Sequence, residues 1–218
     1  MIDAVLFDVD GTLVDTTYLH AVTWWEAFRQ QGHAVAMARI HRAIGMGSDK
    51  LLDHVLPDGR DRDADDAMRD AHTALYAQYR GRLQAFDGAA GLLRACKERG
   101  KRVVLASSAA EPEMRALRAA LDAEDAIDEA TSASEVGQSK PAPDLVELAL
   151  ERAGVPAGRA VFVGDTAWDV EAAGRVGVPC VGVLTGGWAR DELESAGAVA
   201  VYDGPRDLLA NLEESPLQ

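Results

Sequence analysis

The stretch V-L-F-D-V-D-G-T-L-V-D, Val5 to Asp15, decides how the chain is read. It begins as a nearly unbroken apolar run and then places two carboxylates, Asp8 and Asp10, at its end with one residue between them. Side chains on a strand alternate between faces, so residues two apart project to the same side. Two like charges that close repel and raise each other's pKa. A shared cation is the simplest way to make such a pairing tolerable. Gly11 follows at once and points to a tight turn whose backbone needs the freedom of glycine.

Outward from that stretch, helical and strand patterns alternate. K-R-V-V-L-A-S-S (101–108), R-A-V-F-V-G-D (159–165), P-C-V-G-V-L (179–184) and A-V-A-V-Y (198–202) read as strands. Helical stretches near 90–100, 111–122, 144–154, 168–177, 190–197 and 205–214 separate them. Strands that alternate with helices predict an α/β fold, a Rossmann-like parallel sheet covered on both faces. The long helical stretch after Asp15 interrupts the alternation. It predicts an all-helical domain over 16–83 inserted into a core formed by 1–15 and 84–218. Gly32 reads as the stop of the first helix of that insertion.

The 218 residues suit one core domain with an insertion. Lys and Arg total 22 against 36 Asp and Glu, a formal charge of −14. So acidic a chain is poorly suited to nucleic acid or membrane surfaces, which are bound through positive charge. No run approaches the ~20 apolar residues of a membrane span, and the N-terminus shows no basic-then-apolar signal region. Cys96 and Cys180 are far apart and lack metal-ligand spacing, which predicts buried, reduced thiols and a cytoplasmic protein. The chain is expected to be a monomer or a homodimer.

Ligands of open parallel sheets sit beyond the carboxyl ends of the strands. Asp8 and Asp10, Ser107 and Ser108, and Asp165 lie at such ends, with Asp169 at the start of the next helix and Lys140 in a loop before another. Converging carboxylates without His or Cys suit Mg²⁺ rather than Zn²⁺. A serine hydroxyl and a lysine beside them complete an inventory for phosphoryl transfer.

D-V-D-G-T-L-V-D, V-V-L-A-S-S, S-K-P-A-P-D and V-G-D-T-A-W-D, in this order, resemble the four motifs of the haloacid dehalogenase superfamily. The match is closest to its phosphoglycolate phosphatase-like and β-phosphoglucomutase-like branch, which carries a helical cap after the first strand. The resemblance implies a Mg²⁺-dependent phosphatase acting on a small phosphate monoester through an aspartyl-phosphate. By that resemblance Asp8 is the nucleophile and Asp10 the general acid and base. Asp8 and Asp165 hold the metal with the Asp10 carbonyl, and Asp169 holds it directly or through a water. Ser107 and the Gly11–Thr12 backbone hold the phosphoryl oxygens, and Lys140 bridges Asp8 and phosphate. Ser108 reads either as part of that seat or as a cap. His20 and Trp24 stand at the spacing seen in the mutases, with His20 open between a packing residue and a proton relay. Asp169, where mutases have glycine, favours a phosphatase. Asp10, absent from dehalogenases and phosphonatases, argues against both. In the cap, Arg39, His41, Arg42, Lys50 and His54 concentrate positive charge around a Gly45–Gly47 loop. Arg42 and Lys50 are predicted to meet an anionic substrate tail, against the alternative of a solvated helix face.

Overall fold

A computed structural model describes residues 1–132, 135 and 137–218. The first strand, β1 (Ala4–Phe7), lies in the middle of a parallel sheet. Around it stand β2 (Arg102–Leu105), β3 (Glu129–Ala130), β4 (Ala160–Gly164), β5 (Cys180–Val183) and β6 (Ala200–Tyr202). Their order across the sheet is β3-β2-β1-β4-β5-β6. Ala4 is in register with Arg102 on one side and with Ala160 on the other.

The period of two along these strands sorts their side chains into two cores. Val5, Phe7, Val103, Leu105, Val161 and Val163 face one way. They pack with α5 (Ala89–Glu98), α6 (Glu111–Leu121) and α10 (Pro205–Ala210). Ala4, Leu6, Val104, Ala160 and Phe162 face the other way. They pack with α7 (Asp144–Ala153), α8 (Ala167–Arg175) and α9 (Arg190–Ala196). Both faces being covered explains why β1 and β4 read as continuous apolar runs. β3 was not expected from sequence. It has two residues at the sheet edge, too short to display a period.

Between β1 and α5 lie α1 (Thr17–Gln30), α2 (Met37–Ala43), α3 (Ser48–Val55) and α4 (Asp65–Ala77). They have a separate apolar cluster built on Trp24, Phe28, Ile40, Leu51, Leu52, Val55 and Met68. The helical run 39–56 is broken at the Gly45–Gly47 loop, with Gly45 at φ +99°, into α2 and α3. α1 stops just before Gly32, whose φ is +77°. The chain crosses out of the sheet at Asp15 and back at Gln84. There the Asp15 amide donates to the Gln84 carbonyl at 2.9 Å, and the Phe86 amide donates to the Leu13 carbonyl at 2.9 Å.

Candidate active site

At the carboxyl ends of β1 and β2 a cleft of about 530 Å³ opens toward the helical insert. Asp8, Asp10, Ser107, Ser108 and Lys140 line it from the sheet side, and His20, Trp24, residues 44–49, Arg69, His72, Tyr76 and Arg80 from the insert.

Asp8 follows β1 directly, its amide held by the Val163 carbonyl at 2.9 Å. Lys140 Nζ donates to Asp8 Oδ1 and to Asp169 Oδ1, each at 2.7 Å. Asp169 is wholly buried and closes a capping box at the start of α8. Its Oδ2 accepts from the Thr166 amide at 3.1 Å and the Thr166 hydroxyl at 2.6 Å. Asp165 Oδ1 accepts from the Thr12 hydroxyl at 2.7 Å, while its Oδ2 is buried with no partner. Asp8, Asp165 and Asp169 each bring an oxygen within 4.8 Å of the others. Burial pushes the Asp8 carboxyl up to about 7; Lys140 opposes this and the Asp169 charge adds to it. Burial, then the Asp169 and Asp8 charges, push Asp165 well above the carboxylate range. Burial disfavours charge on Lys140 too, but Asp169 and Asp8 outweigh it and the ammonium is held charged. One lysine thus faces three buried acids. An orphaned Asp165 oxygen and an all-oxygen donor set fit a hard divalent cation.

Asp10 goes the other way. Its Oδ1 accepts from the Thr16 hydroxyl at 2.6 Å and stands 3.3 Å from His20 Nε2. Burial raises its pKa, but His20 and Thr16 more than offset that, and Asp10 lies below the usual range. Burial works against charge on His20, yet the Asp10 carboxylate, with Glu113 and Asp8, raises it. His20 Nδ1 is 3.2 Å from Nε2 of His72. Burial and the nearby His20 push His72 down to about 3, so it stands neutral beside His20. Tyr76 stacks on His20 at 4.2 Å and Trp24 on His72 at 4.2 Å, which fixes both rings.

Ser107 is 2% exposed. Its Oγ accepts from the Ala109 amide at 3.1 Å, leaving its own proton to donate toward the cleft. Its amide and carbonyl are pinned by the Thr131 hydroxyl at 3.1 and 3.0 Å. Ser108 is exposed on the cleft wall.

Several expected placements change. The Asp10 side chain does not join the acid cluster, because Thr16 and His20 hold it. The Gly11 amide donates to the Val14 carbonyl at 2.9 Å, so it is engaged in the turn rather than available to a phosphoryl group. Gly11 itself has φ +79°, and a Cβ there would meet Asp165 Oδ2 at 2.5 Å. The Thr12 side chain is fully buried behind the acids, facing Asp165 and, at 3.4 Å, Asp8. Arg42 does not line the cleft. It pairs with Glu192, lies 4.1 Å over the Trp188 ring, and its carbonyl accepts from Trp168 Nε1 at 3.0 Å. Lys50, half-buried on α3, lies outside the lining as well. The cleft cations of the insert are instead Arg69 and Arg80, and His72, Glu113 and Thr131 are further site residues not singled out from sequence. His72 and Tyr76 stand four residues apart on α4, a spacing that puts residues on one helix face, and Arg80 follows in the turn after that helix. That spacing was the available signal.

The fold and the site define a hydrolase: the model of the haloacid dehalogenase-like hydrolases matches residues 2–177, and the chain belongs to that family. Phosphoglycolate phosphatase of Rhodospirillum rubrum is 32% identical over 209 residues, covering 92% of this chain and 86% of that one. Protein CbbY of Cereibacter sphaeroides is 31% identical over 226 residues, 98% and 97% of the two chains. A solved hydrolase from Pseudomonas syringae matches with a TM-score of 0.91 at 32% identity, over 97% of this chain and 98% of that one.

Proposed function

We propose that the chain is a Mg²⁺-dependent phosphatase that hydrolyses a small phosphate monoester by way of an aspartyl-phosphate, with residues 16–83 acting as its cap. The observation that carries this is the separation of two neighbouring acids. Asp8 belongs to the buried cluster with Lys140, and Asp10 to the relay with His20. Pairs of acids placed in contrasting surroundings divide the nucleophilic and proton-transfer roles.

The ester's phosphoryl group is seated by the Ser107 hydroxyl, Lys140 and the Thr12 backbone, with Ser108 at the rim. An Asp8 oxygen attacks phosphorus and the bond to the leaving alcohol breaks. The leaving oxygen takes a proton through Asp10, from the one that the Asp10–His20 pair shares. Asp10 then removes a proton from a water, whose oxygen attacks the same phosphorus and frees Asp8 and inorganic phosphate. Asp8, Asp165, Asp169 and the Asp10 carbonyl would hold Mg²⁺, which would supply charge neutralisation at the phosphoryl oxygens and favour the ionised form of Asp8. The relatives' name makes phosphoglycolate the first ester to try.

A panel of phosphate monoesters with Mg²⁺ tests the reading. Phosphate release from at least one ester is expected, lost in Asp8→Asn. No release from any, or turnover that survives Asp8→Asn, overturns it.

A further inference from the structure

Arg80 stands alone among the cations of the cleft. Lys140 is committed to Asp8 and Asp169, and Arg69 Nη1 is paired with the exposed Asp66 at 2.7 Å. Among the described residues, which include every Asp and Glu of the chain, Arg80 has no ion-pair partner. Its Nε is buried without a hydrogen bond, although the side chain lines the same cleft as Asp8, Asp10 and Ser107. One of the five guanidinium donors is thus out of water without an acceptor, on a half-buried side chain that a ligand in the cleft can reach.

Its backbone is fixed. Arg80 opens the short 3₁₀ turn Arg80–Arg82, which packs on α6 just before the chain returns to the sheet at Gln84. From α6, Glu113 reaches the same cleft. Its Oε1 is buried, has no hydrogen bond, and lies 3.6 Å from His20 Nε2. The Arg80 charge acts on Glu113 with no ion pair between them. A second negative charge on a bound ester supplies the acceptor that Arg80 lacks. The planar fork of a guanidinium matches a carboxylate or a phosphate, both of which offer paired oxygens.

Resting on the phosphatase reading above, we propose that Arg80 is the specificity-determining residue. It selects esters whose leaving alcohol carries a second anionic group, carboxylate or phosphate, and this is the part assigned from sequence to Arg42 and Lys50.

The test compares kcat/KM for three esters: 2-phosphoglycolate (carboxylate tail), fructose 1,6-bisphosphate (phosphate tail) and ethyl phosphate (uncharged tail). The wild type prefers at least one anionic ester, and which one identifies the tail. Arg80→Gln lowers the anionic-to-ethyl ratio by roughly 10- to 100-fold, and Arg80→Lys, which keeps the charge, retains part of it. Calorimetric binding of the same esters to Asp8→Asn, with and without Arg80→Gln, gives the same ranking without turnover. A ratio unchanged in Arg80→Gln, or equal losses on all three esters, overturns the proposal, as does a wild type that prefers ethyl phosphate. In those cases the phosphatase reading stands. A wild type that releases phosphate from no ester at all sinks both.

Discussion

Replacing Lys140 by Met removes one charge and almost no volume, and the structure allows its cost to be worked out. The side chain is 4% exposed, and Nζ lies 2.7 Å from carboxylates that are 7% and 0% exposed. Without it, Asp8, Asp165 and Asp169 share one buried site with no counter-charge. Removing one partner of a buried ion pair costs about 3–5 kcal/mol. For a chain of this size each kcal/mol moves Tm by about 2–4 °C, so Lys140→Met should melt roughly 6–20 °C below wild type. The assay is thermal unfolding by circular dichroism in EDTA at pH 7.5. Two controls tie the loss to charge. At pH 5 the gap should shrink, because acids with raised pKa values take up protons instead of repelling. Adding Asp169→Asn to Lys140→Met should recover part of the loss, as expected for residues in one network. A Tm within 2 °C of wild type, or a gap as wide at pH 5 as at pH 7.5, refutes the reasoning.

Asp8→Asn should lower phosphate release by at least about 10³-fold with an unchanged circular dichroism spectrum, since the nucleophile is lost and the shape is kept. Activity should vanish in EDTA, return with Mg²⁺ and not with Zn²⁺, and be inhibited by Ca²⁺, whose larger and looser shell misplaces the oxygens around it; full turnover in metal-free buffer contradicts this. Burial, with the Asp10 charge, pushes Glu113 up to about 7. The folded chain therefore keeps a proton that the unfolded chain has released between about pH 4.5 and 7, and stability falls as pH rises through that window. The Tm of Glu113→Gln should gain on wild type from pH 4.5 to 8; a difference that does not move with pH speaks against the assignment. A Cβ at Gly186 would overlap the Asp165 carboxylate, so Gly186→Ala should raise the Mg²⁺ concentration needed for half-maximal rate by at least about 10-fold; an unchanged Mg²⁺ requirement refutes the placement.

The sheet and its catalytic edge were legible because their signals are local. Asp8 and Asp10 end an apolar run, Asp165 ends another, and Asp169 is a first-turn acid whose capping box follows from the Thr166 spacing. What was not legible depends on contacts between distant segments. Asp8 and Asp10 share a strand direction, yet Thr16 and His20 turn the second away. β3 has two residues and no period. Within the charge run 61–70, Arg60 draws Asp65 inward, pairing with it at 2.8 Å across a contact that the run itself does not signal. His72, Glu113 and Arg80 meet only when α4 and α6 approach the same cleft, and no short window of sequence contains that approach.

The misplacement of Arg42 follows from the same limit and has a mechanical meaning. A basic residue in an acidic chain signals an anionic partner without saying which one. Here the partner is Glu192, with the Trp188 face beneath the guanidinium and the Trp168 indole donating to the Arg42 carbonyl. The neighbouring His41 donates from Nε2 to the Gly186 carbonyl at 2.8 Å. Gly186 in turn lies so close to Asp165 that no side chain fits between them. The end of α2 therefore grips the loop that follows β5, and that loop backs one of the three clustered acids. Displacing the helical insert would break the His41 bond and loosen the backing of Asp165 in one step. The charge on Arg42 thus serves to dock the insert on the core, and it is spent on Glu192 rather than on the cleft.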